Sequence, residues 1–546
     1  MGIGNGNLAG RRLVWVAAHR RRRGIASVLL SVPALLMGMV PAALDGVAPS
    51  SAATPGGGDW TVYHQDPAGA GMATSSAAVD TSRQRWTSPT LDGQVYGEPL
   101  VAGGQVFVAT ENDTVYALSS TTGAVIWSAH LGPPVPSGAL PCGDISPTVG
   151  ITGTPVIDPT RSELFVVADE LLNGNPAHIL VGLDTTSGRT EMTQNVDPAG
   201  AKPAALLQRT GLTLDANQVV FGFGGTYADC STYRGWLVGV NESGGAPVDF
   251  AVDSGAGESQ GAIWMGGAAP EVDSGGNLWV GVGNGSVTTT GPAYDDSDSV
   301  LEVSSTFHLL QYFAPTSWAS DNAHDFDLSM APALLTDGQV VASGKSAHAY
   351  LLDGSHLGGI GGQEAELASV CGDDVDGGTA VMGTTVFIPC LSGIVALQVA
   401  TSPAQLQVLW TSHTGGGPPI IAAGLVWTVG QNGMLSGLNP TTGAVQQQTS
   451  IGAPINHFPT PSVGNGVLLV AAGTHIVAFA ASGSTPSPSS STTTPATLPP
   501  AHTAARHGAG LPVAALIAIA AGAAILVGVI AWLLRRHRRI RPARPR

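Results

Sequence analysis

The sequence predicts an all-β protein, an eight-bladed β-propeller, and three observations support this prediction. Residues 115–127 form a strand–turn–strand unit. Residues 115–118 alternate like a half-buried strand, 121–123 form the turn, and 124–127 form a second strand that ends at Trp127. The unit recurs at 180–188 and 434–443, with a weaker copy at 394–401 ahead of Trp410. The composition, with 74 Gly, 38 Pro and 11% charged residues, suits a large domain of strands and tight turns. Such repetition is typical of propeller blades.

Eight short apolar openings predict the innermost strand of eight blades. They lie at 98–101, 154–157, 211–214, 269–272, 331–334, 378–381, 418–421 and 460–463. The last blade contains only three strands before the composition changes. Residues 82–88, where Trp86 takes the place of Trp127, are expected to supply its outer strand and so remove an exposed edge. Seven blades would result if blade five were irregular.

Both ends of the chain indicate a membrane. Residues 511–534 carry no charge and are long enough to cross about 30 Å of hydrocarbon, which predicts a transmembrane helix. The basic tail at 535–546 is expected to be cytoplasmic. At the other end, the segment 1–53 has a basic cluster, an apolar run and small residues at 51–53, which predict a signal peptide or an uncleaved N-terminal anchor. Both alternatives predict a single-pass cell-membrane protein with an extracellular propeller at 54–481.

The segment between propeller and membrane helix, 482–510, is rich in Ser, Thr and Pro. We interpret it as an extended tether, with a glycosylated stalk as the alternative. Most basic residues lie in the two ends, so residues 54–510 hold nine Lys and Arg against 37 acidic residues, a net charge of −28. This charge repels phosphate backbones and excludes a nucleic-acid partner.

The repeats resemble those of the quinoprotein alcohol dehydrogenase-like superfamily, the pyrroloquinoline quinone (PQQ) propellers. Their tryptophan-docking motif is A-x-D-x-x-T-G-x-x-x-W, which Ala117, Thr122, Gly123 and Trp127 match while Ser119 replaces the Asp. The copy at 182–192 ends in Met192 and the copy at 437–447 ends in Gln447. The segments 141–158, 230–236, 281–285 and 344–362 look like exported PQQ-like propellers of high-GC Gram-positive bacteria. The resemblance covers about residues 60–480.

The resemblance implies PQQ held under adjacent disulfide-bonded cysteines, with Ca²⁺ beside a catalytic Asp and, in many members, a haem domain. This chain has no Cys-Cys pair and no C-x-x-C-H motif. Because a fold does not carry its function with it, the missing parts favour a chain without these cofactors.

Four cysteines permit three pairings. The topology of a blade places Cys142, Cys230, Cys371 and Cys390 in loops on one face of the ring, but blades two and three lie across the channel from blade six. We therefore predict the disulfides Cys142–Cys230 and Cys371–Cys390.

A ligand funnel is predicted where polar residues gather near the channel end of the innermost strands. The candidates are Glu98, Thr152, Arg209, Trp264, Asp327, Lys345, Asp376 and His457. A converging set with both charge signs and a Trp suits a small polar ligand or an ion. The alternative, which we favour, is an ordinary polar, water-filled propeller channel.

Two acidic clusters, Asp295, Asp296 and Asp298 with Asp373, Asp374 and Asp376, lack the spacing of an EF-hand, and we interpret them as solvated loops rather than Ca²⁺ sites. The histidines His178, His324, His348 and His475 show no zinc spacing, and no catalytic motif is evident.

The sequence thus favours a non-catalytic binding or scaffolding module at the cell envelope, whose partner is an envelope protein or a small polar ligand. The alternative is a quinoprotein-like oxidoreductase with PQQ and Ca²⁺ in the funnel.

Overall fold

The computed structural model describes residues 58–74, 77–291, 293–452 and 456–481. The predicted segments 1–53, 482–510, 511–534 and 535–546 lie outside these residues. The predicted propeller range 54–481 is almost fully described. Within the described ranges, no helix combines the length and apolar character that crossing a membrane requires.

Eight sheets form the eight predicted blades, each with its strands A to D running antiparallel from the channel outwards. The chain begins with β1 (Val79–Thr87). Blade one is β2 (Leu100–Ala102), β3 (Gln105–Ala109), β4 (Thr114–Ser119) and β5 (Val125–His130). A small hairpin, β6 (Val135–Pro136) and β7 (Thr148–Val149), follows. Blade two is β8 (Val156–Asp158), β9 (Glu163–Leu172), β10 (Asn175–Asp184) and β11 (Thr190–Asn195).

Blades three to five are less regular. Blade three is β12 (Leu206–Leu207), β13 (Thr213–Asp215), β14 (Gln218–Gly225), β15 (Trp236–Asn241) and β16 (Val248–Ala251). Blade four is β17 (Glu271–Val272), β18 (Asn277–Val282), β19 (Ser299–Ser304) and β20 (Leu309–Ala314). The helix α1 (Trp318–His324) leads to blade five, which is β21 (Ala333–Leu334), β22 (Gln339–Ser343), β23 (Ala349–Asp353) and β25 (Ala365–Leu367). The intervening β24 (Gly359–Ile360) pairs in parallel with β20.

The last three blades return to the simple pattern. Blade six is β26 (Ala380–Met382), β27 (Thr385–Cys390), β28 (Gly393–Thr401) and β29 (Ala404–Ser412). Blade seven is β30 (Ile420–Ala422), β31 (Leu425–Val429), β32 (Met434–Leu438) and β33 (Val445–Ser450). Blade eight is β34 (Ser462–Gly464), β35 (Val467–Ala472) and β36 (His475–Ala481). Three single-turn 3₁₀ helices lie at Ser137–Ala139, Pro203–Ala205 and Met265–Gly267.

The predicted ring closure is confirmed, because β1 pairs antiparallel with β36 as the outer strand of blade eight. Trp86 lies opposite Ala478 in this pairing, and its ring is buried. All eight predicted openings coincide with strand A of a blade, so eight blades are confirmed. Along the B and C strands both faces are buried, because each blade is packed between two neighbours.

Docking tryptophans join consecutive blades. Trp86 lies against Gly123 and donates its indole N–H to the Ser120 carbonyl at 2.9 Å. Gly123 has φ +72°, and a Cβ there would lie 2.4 Å from the Trp86 ring, so both the turn and the packing require glycine. Trp127 lies against Gly188 and Trp410 against Gly443 in the same way. The motif therefore acts between blades.

Candidate functional site

The segment 58–73 crosses the inside of the ring and plugs the channel. Backbone hydrogen bonds run from Val272 to the Pro67 carbonyl, from Val381 to the Ala70 carbonyl and from Ile421 to the Gly71 carbonyl, at 2.7–2.9 Å. These three acceptors bind strand A of blades four, six and seven. Local turn chemistry shapes the segment, since the Asp66 carboxylate accepts the N–H groups of Ala68 and Ala70. We call residues 58–73 the plug. No sequence pattern predicted it.

Glu98, the first funnel candidate, lies beneath the plug rather than in an open funnel. Its carboxylate accepts hydrogen bonds from the Trp60 indole N–H at 2.9 Å and the His64 backbone N–H at 2.8 Å. Burial raises the pKa of Glu98 well above its ordinary value. The neighbouring His64 is also buried, which lowers its pKa to about 4. The structure thus assigns both groups to packing of the plug.

Arg209 is the central residue of the opposite, unplugged mouth of the channel. Its side chain is largely buried, stands 5.8 Å from the Tyr96 ring and 5.7 Å from the Phe458 ring, and donates to the His457 carbonyl at 3.3 Å. Burial lowers the pKa of Arg209. These contacts hold a guanidinium between two aromatic rings. The His457 side chain itself points to solvent, 3.6 Å from Asp144.

Lys345 links three more funnel candidates on the same mouth. Its ammonium lies 2.6 Å from the Asp327 carboxylate, 3.2 Å from Asp325 and 5.6 Å from the centre of the Trp264 ring. Burial opposes its charge, but Asp327, Asp325 and Asp376 together outweigh burial and raise the pKa of Lys345. Lys345 therefore keeps its positive charge beside Asp327. Trp264 also packs against Phe458, with ring centres 5.7 Å apart.

Two candidates lie further back. Asp376 is buried and accepts a hydrogen bond from the Ser329 hydroxyl at 2.5 Å, and burial raises its pKa to about 7. Thr152 is buried beside the carboxyl group of Glu111. The structure therefore brings together Arg209, Trp264, Asp327, Lys345 and the backbone of His457. Glu98 and Thr152 do not belong to this group.

The solvated-loop interpretation of the acidic clusters is wrong for three of their residues. Asp295 and Asp298 are 2% and 1% exposed, and Asp376 is 4% exposed. The loop folds inward because Asp295 accepts hydrogen bonds from Ser297 and Val287, while Asn322 on α1 binds the same loop. Asp296, Asp373 and Asp374 are half-buried. Hydrogen bonds thus satisfy Asp295 and Asp376, whereas neither carboxylate oxygen of Asp298 has a hydrogen-bond partner among the described residues.

Both predicted disulfides form. Cys142 pairs with Cys230 and Cys371 pairs with Cys390, with Cα–Cα distances of 6.2 and 5.7 Å. The first ties the loop before blade two to the loop between strands B and C of blade three.

A buried polar cluster between blades one and two was missed by the sequence analysis. His178 lies between two carboxylates, 2.7 Å from Asp197 and 3.0 Å from Asp169. Nearby, Asp113 is fully buried, and both its oxygens lack a hydrogen-bond partner among the described residues. Burial, with further contributions from Asp169 and other acids, raises the pKa of Asp113 to about 10. Spacing along the chain gives no signal for this cluster, because its members come from two blades.

The unplugged mouth does not fit the PQQ and Ca²⁺ that the family resemblance implies. Ca²⁺ takes about six to eight oxygen ligands. Among the described residues, the only group of three or more converging metal-ligating side chains is Cys371, Asp373 and Cys390, whose sulfurs form a disulfide. At the mouth, Lys345 already binds Asp327, and Arg209 adds a second cation. Phe458 covers one side of Trp264.

The fold is similar to that of solved quinoproteins. Quinohemoprotein alcohol dehydrogenase ADHIIG from Pseudomonas putida HK5 superposes with a TM-score of 0.58 at 13% identity, covering 82% of this chain and 83% of that one. The quinohemoprotein alcohol dehydrogenase from Comamonas testosteroni gives 0.57 at 14% identity, covering 79% and 82%. A europium-containing methanol dehydrogenase gives 0.57 at 14% identity, covering 76% and 90%. At these identities the likeness concerns the fold alone.

A family match agrees with this fold. Residues 12–221 match the family described as outer membrane protein assembly factor BamB, which is less than half of the chain. No curated protein matches the sequence. The eight blades, the tryptophans docked between them and these similarities show that the chain has the PQQ-like β-propeller fold.

Proposed function

We propose that the protein is a membrane-anchored, non-catalytic binding module of the cell envelope, with its propeller outside the cell. One observation carries the proposal: loops held by a disulfide or by ion pairs present exposed aromatic side chains beside the unplugged mouth. Tyr227 is 66% exposed and Phe326 is 42% exposed. Exposed aromatic rings on rigid supports are typical of protein interfaces.

The loop that carries Tyr227 is fixed by the Cys142–Cys230 disulfide. Asp229 in this loop is close enough to Asp327, Asp325 and Lys345 for their charges to influence its ionisation, so the loop lies at the mouth. Phe326 stands between the two aspartates that Lys345 binds. Both rings therefore lie on loops that are already ordered, so binding a partner costs these loops little conformational entropy. Because residues 54–510 carry a net charge of −28, we expect the partner surface to be basic around an apolar centre.

The proposal predicts that the double variant Tyr227→Ala/Phe326→Ala loses its partner. The chain is cross-linked on intact cells that make the wild type or the variant, and recovered proteins are compared. The control is Leu310→Ala, which removes an equally exposed apolar side chain from β20 on the outer rim. A partner recovered equally with the double variant would contradict the proposed face.

A quinoprotein-like oxidoreductase is the second candidate, and the fold that the chain shares with solved quinohemoprotein alcohol dehydrogenases favours it, although the mouth itself does not fit PQQ and Ca²⁺. Purified chain is mixed with PQQ and Ca²⁺, freed of excess cofactor, and assayed for a retained chromophore and for dye reduction with alcohols or sugars. We expect neither signal. A stoichiometric chromophore that Lys345→Ala abolishes would replace the binding-module proposal.

A further inference from the structure

In most blades, the side chain at one position of the outer strand, strand D, fills the gap to the neighbouring blade. This position lies next to a bulge in strand D, opposite Ala117, Gly182, Glu302, Ala396, Gly437 or Ala478 of strand C. Its occupants are Trp127, Met192, Gln311, Trp410, Gln447 and Trp86 respectively. We call it the docking position.

Five of these six occupants reach a hydrogen-bonding partner in the next blade. The three tryptophans donate to carbonyl groups, as described above. Gln311 donates to the Gly354 carbonyl and accepts from Leu357 N–H, both at 2.8 Å. Gln447 donates to the Val79 carbonyl and accepts from Thr81 N–H. A ring or a hydrogen-bonded amide therefore occupies each of these interfaces.

Met192 is the exception, and it leaves a cavity between blades two and three. Its methyl group only approaches the turn at Gly244, 3.7 Å from where a Cβ would stand. The cavity beside it has a volume of about 480 Å³. Its lining residues are Arg161, Ser162, Glu163, Asp184, Glu191, Met192, Glu242 and Ser243. We call this cavity the socket. It opens on the side of the A–B and C–D turns, away from the loops of the unplugged mouth.

The socket carries an excess of negative charge. Four carboxylates and one guanidinium line it. Arg161 pairs with Glu163 at 2.7 Å and with Glu242 at 3.4 Å, and Arg189 pairs with Glu191 at the rim, so two negative charges remain in excess. Burial, followed by the nearby charge of Asp158, raises the pKa of Glu242.

Glu163 provides an unused acceptor in the socket. Its side chain is 5% exposed, and its Oε2 accepts from Arg161, whereas its Oε1 has no hydrogen-bond partner among the described residues. A buried carboxylate oxygen without a donor is costly unless a ligand completes it. Met192 meanwhile offers an apolar, adaptable wall.

We propose that the socket binds an organic cation, an ammonium or guanidinium group on a short aliphatic chain. The cationic head donates to Glu163 Oε1 and lies near Glu242, and the aliphatic stem packs on Met192. The cation comes either from a free amine or from a Lys or Arg side chain of a protein partner. A bare metal ion is disfavoured, because the socket carboxylates do not converge on one point within the described residues.

The test uses purified full-length protein with ¹³C-methyl-labelled methionines, and the Met192 signal is assigned with Met192→Leu. The probes are 1,5-diaminopentane and N-acetylarginine amide, and 1,5-pentanediol is the neutral control of matched length. We expect the cations to shift the Met192 methyl signal, with affinity falling as salt rises, and the diol to leave it unchanged. Binding of the diamine alone indicates a free amine, and binding of the arginine derivative indicates a side chain.

Two variants test the residues. Glu163→Gln keeps the shape and should weaken cation binding by about tenfold. Met192→Trp restores the side chain found at the equivalent interfaces, so it should fill the socket and abolish binding, which is measured by isothermal titration calorimetry because this variant lacks the Met192 methyl signal. Glu366→Gln removes a carboxylate outside the socket and should leave binding unchanged. A shift by the diol equal to that by the diamine, no shift with either cation, or undiminished binding in folded Glu163→Gln overturns the proposal. If a variant fails to fold, the wild-type comparison of cation and diol decides.

Discussion

At the scale of single residues, the unusual feature of this propeller is that several carboxyl groups are buried deeply enough to raise their pKa values. Burial raises the pKa of Glu111 to about 7, of Asp169 to about 6 and of Asp253 to about 9. Asp113 is the extreme case, since it also has φ +52° at the turn position where blade seven has Gly433. Burial without a hydrogen-bond partner opposes the ionised form of Asp113, and the positive φ adds backbone strain that does not depend on its protonation.

We expect Asp113→Asn to change how stability depends on pH. The pKa of Asp113 is raised from 3.8 to about 10, so the folded state binds a proton that the unfolded state has released. The stability from this group is complete below pH 3.8 and is lost as the pH rises towards 10, by about 1.4 kcal/mol per pH unit. Urea unfolding at pH 5, 6, 7 and 8 should therefore show a shallower decline in the variant. Identical slopes would mean that Asp113 is ionised in the folded protein.

At the scale of elements, two N-terminal segments, the plug and β1, have different structural roles. The plug contacts strand A of several blades inside the ring, whereas β1 completes blade eight at the rim. Removing β1 opens the edge of β36 and loses the burial of Trp86, and truncating a buried aromatic alone costs about 3–5 kcal/mol.

A pair of truncations separates these roles. A chain that lacks 54–90 loses both plug and β1, and we expect it to aggregate. A chain that lacks only 54–74 keeps β1, and we expect it to fold with lower stability and an accessible channel. Size-exclusion chromatography and thermal unfolding of both chains provide the measurement. A well-folded monomer without 54–90 would show that the ring closes without β1.

Local sequence patterns predicted most of the elements but only part of the site. Turn residues such as Thr122 and Gly123 lie in one hairpin and mark it in the sequence, so the blades could be counted from them and the disulfide pairs derived from the order of the blades. The plug was not predicted, because its Gly and Pro turns have no period. The structure places Arg209 and Lys345 at the unplugged mouth but Glu98 beneath the plug, because the sequence does not indicate which inward-facing residues the plug covers.

At the scale of the whole molecule, the proposed topology places the propeller outside the cell and the basic tail inside. Protease added to intact cells should cleave within 482–507 and release the propeller, while an epitope fused after Arg546 stays protected. The control is the same digestion after permeabilisation, which should expose the epitope. Labelling of the epitope on intact cells would contradict this orientation.

The pairing of β1 with β36 also bears on how the chain folds as it is made. Val79 lies opposite Ala481, so β1, the first strand of the ring, cannot pair until β36, the last strand, is present. Because synthesis runs from the N-terminus, β1 must stay unpaired and resist aggregation until almost the whole domain has emerged. A product truncated before β36 leaves β1 without its partner strand and the ring open. Ring closure thus makes correct folding of this domain depend on completion of its last strand.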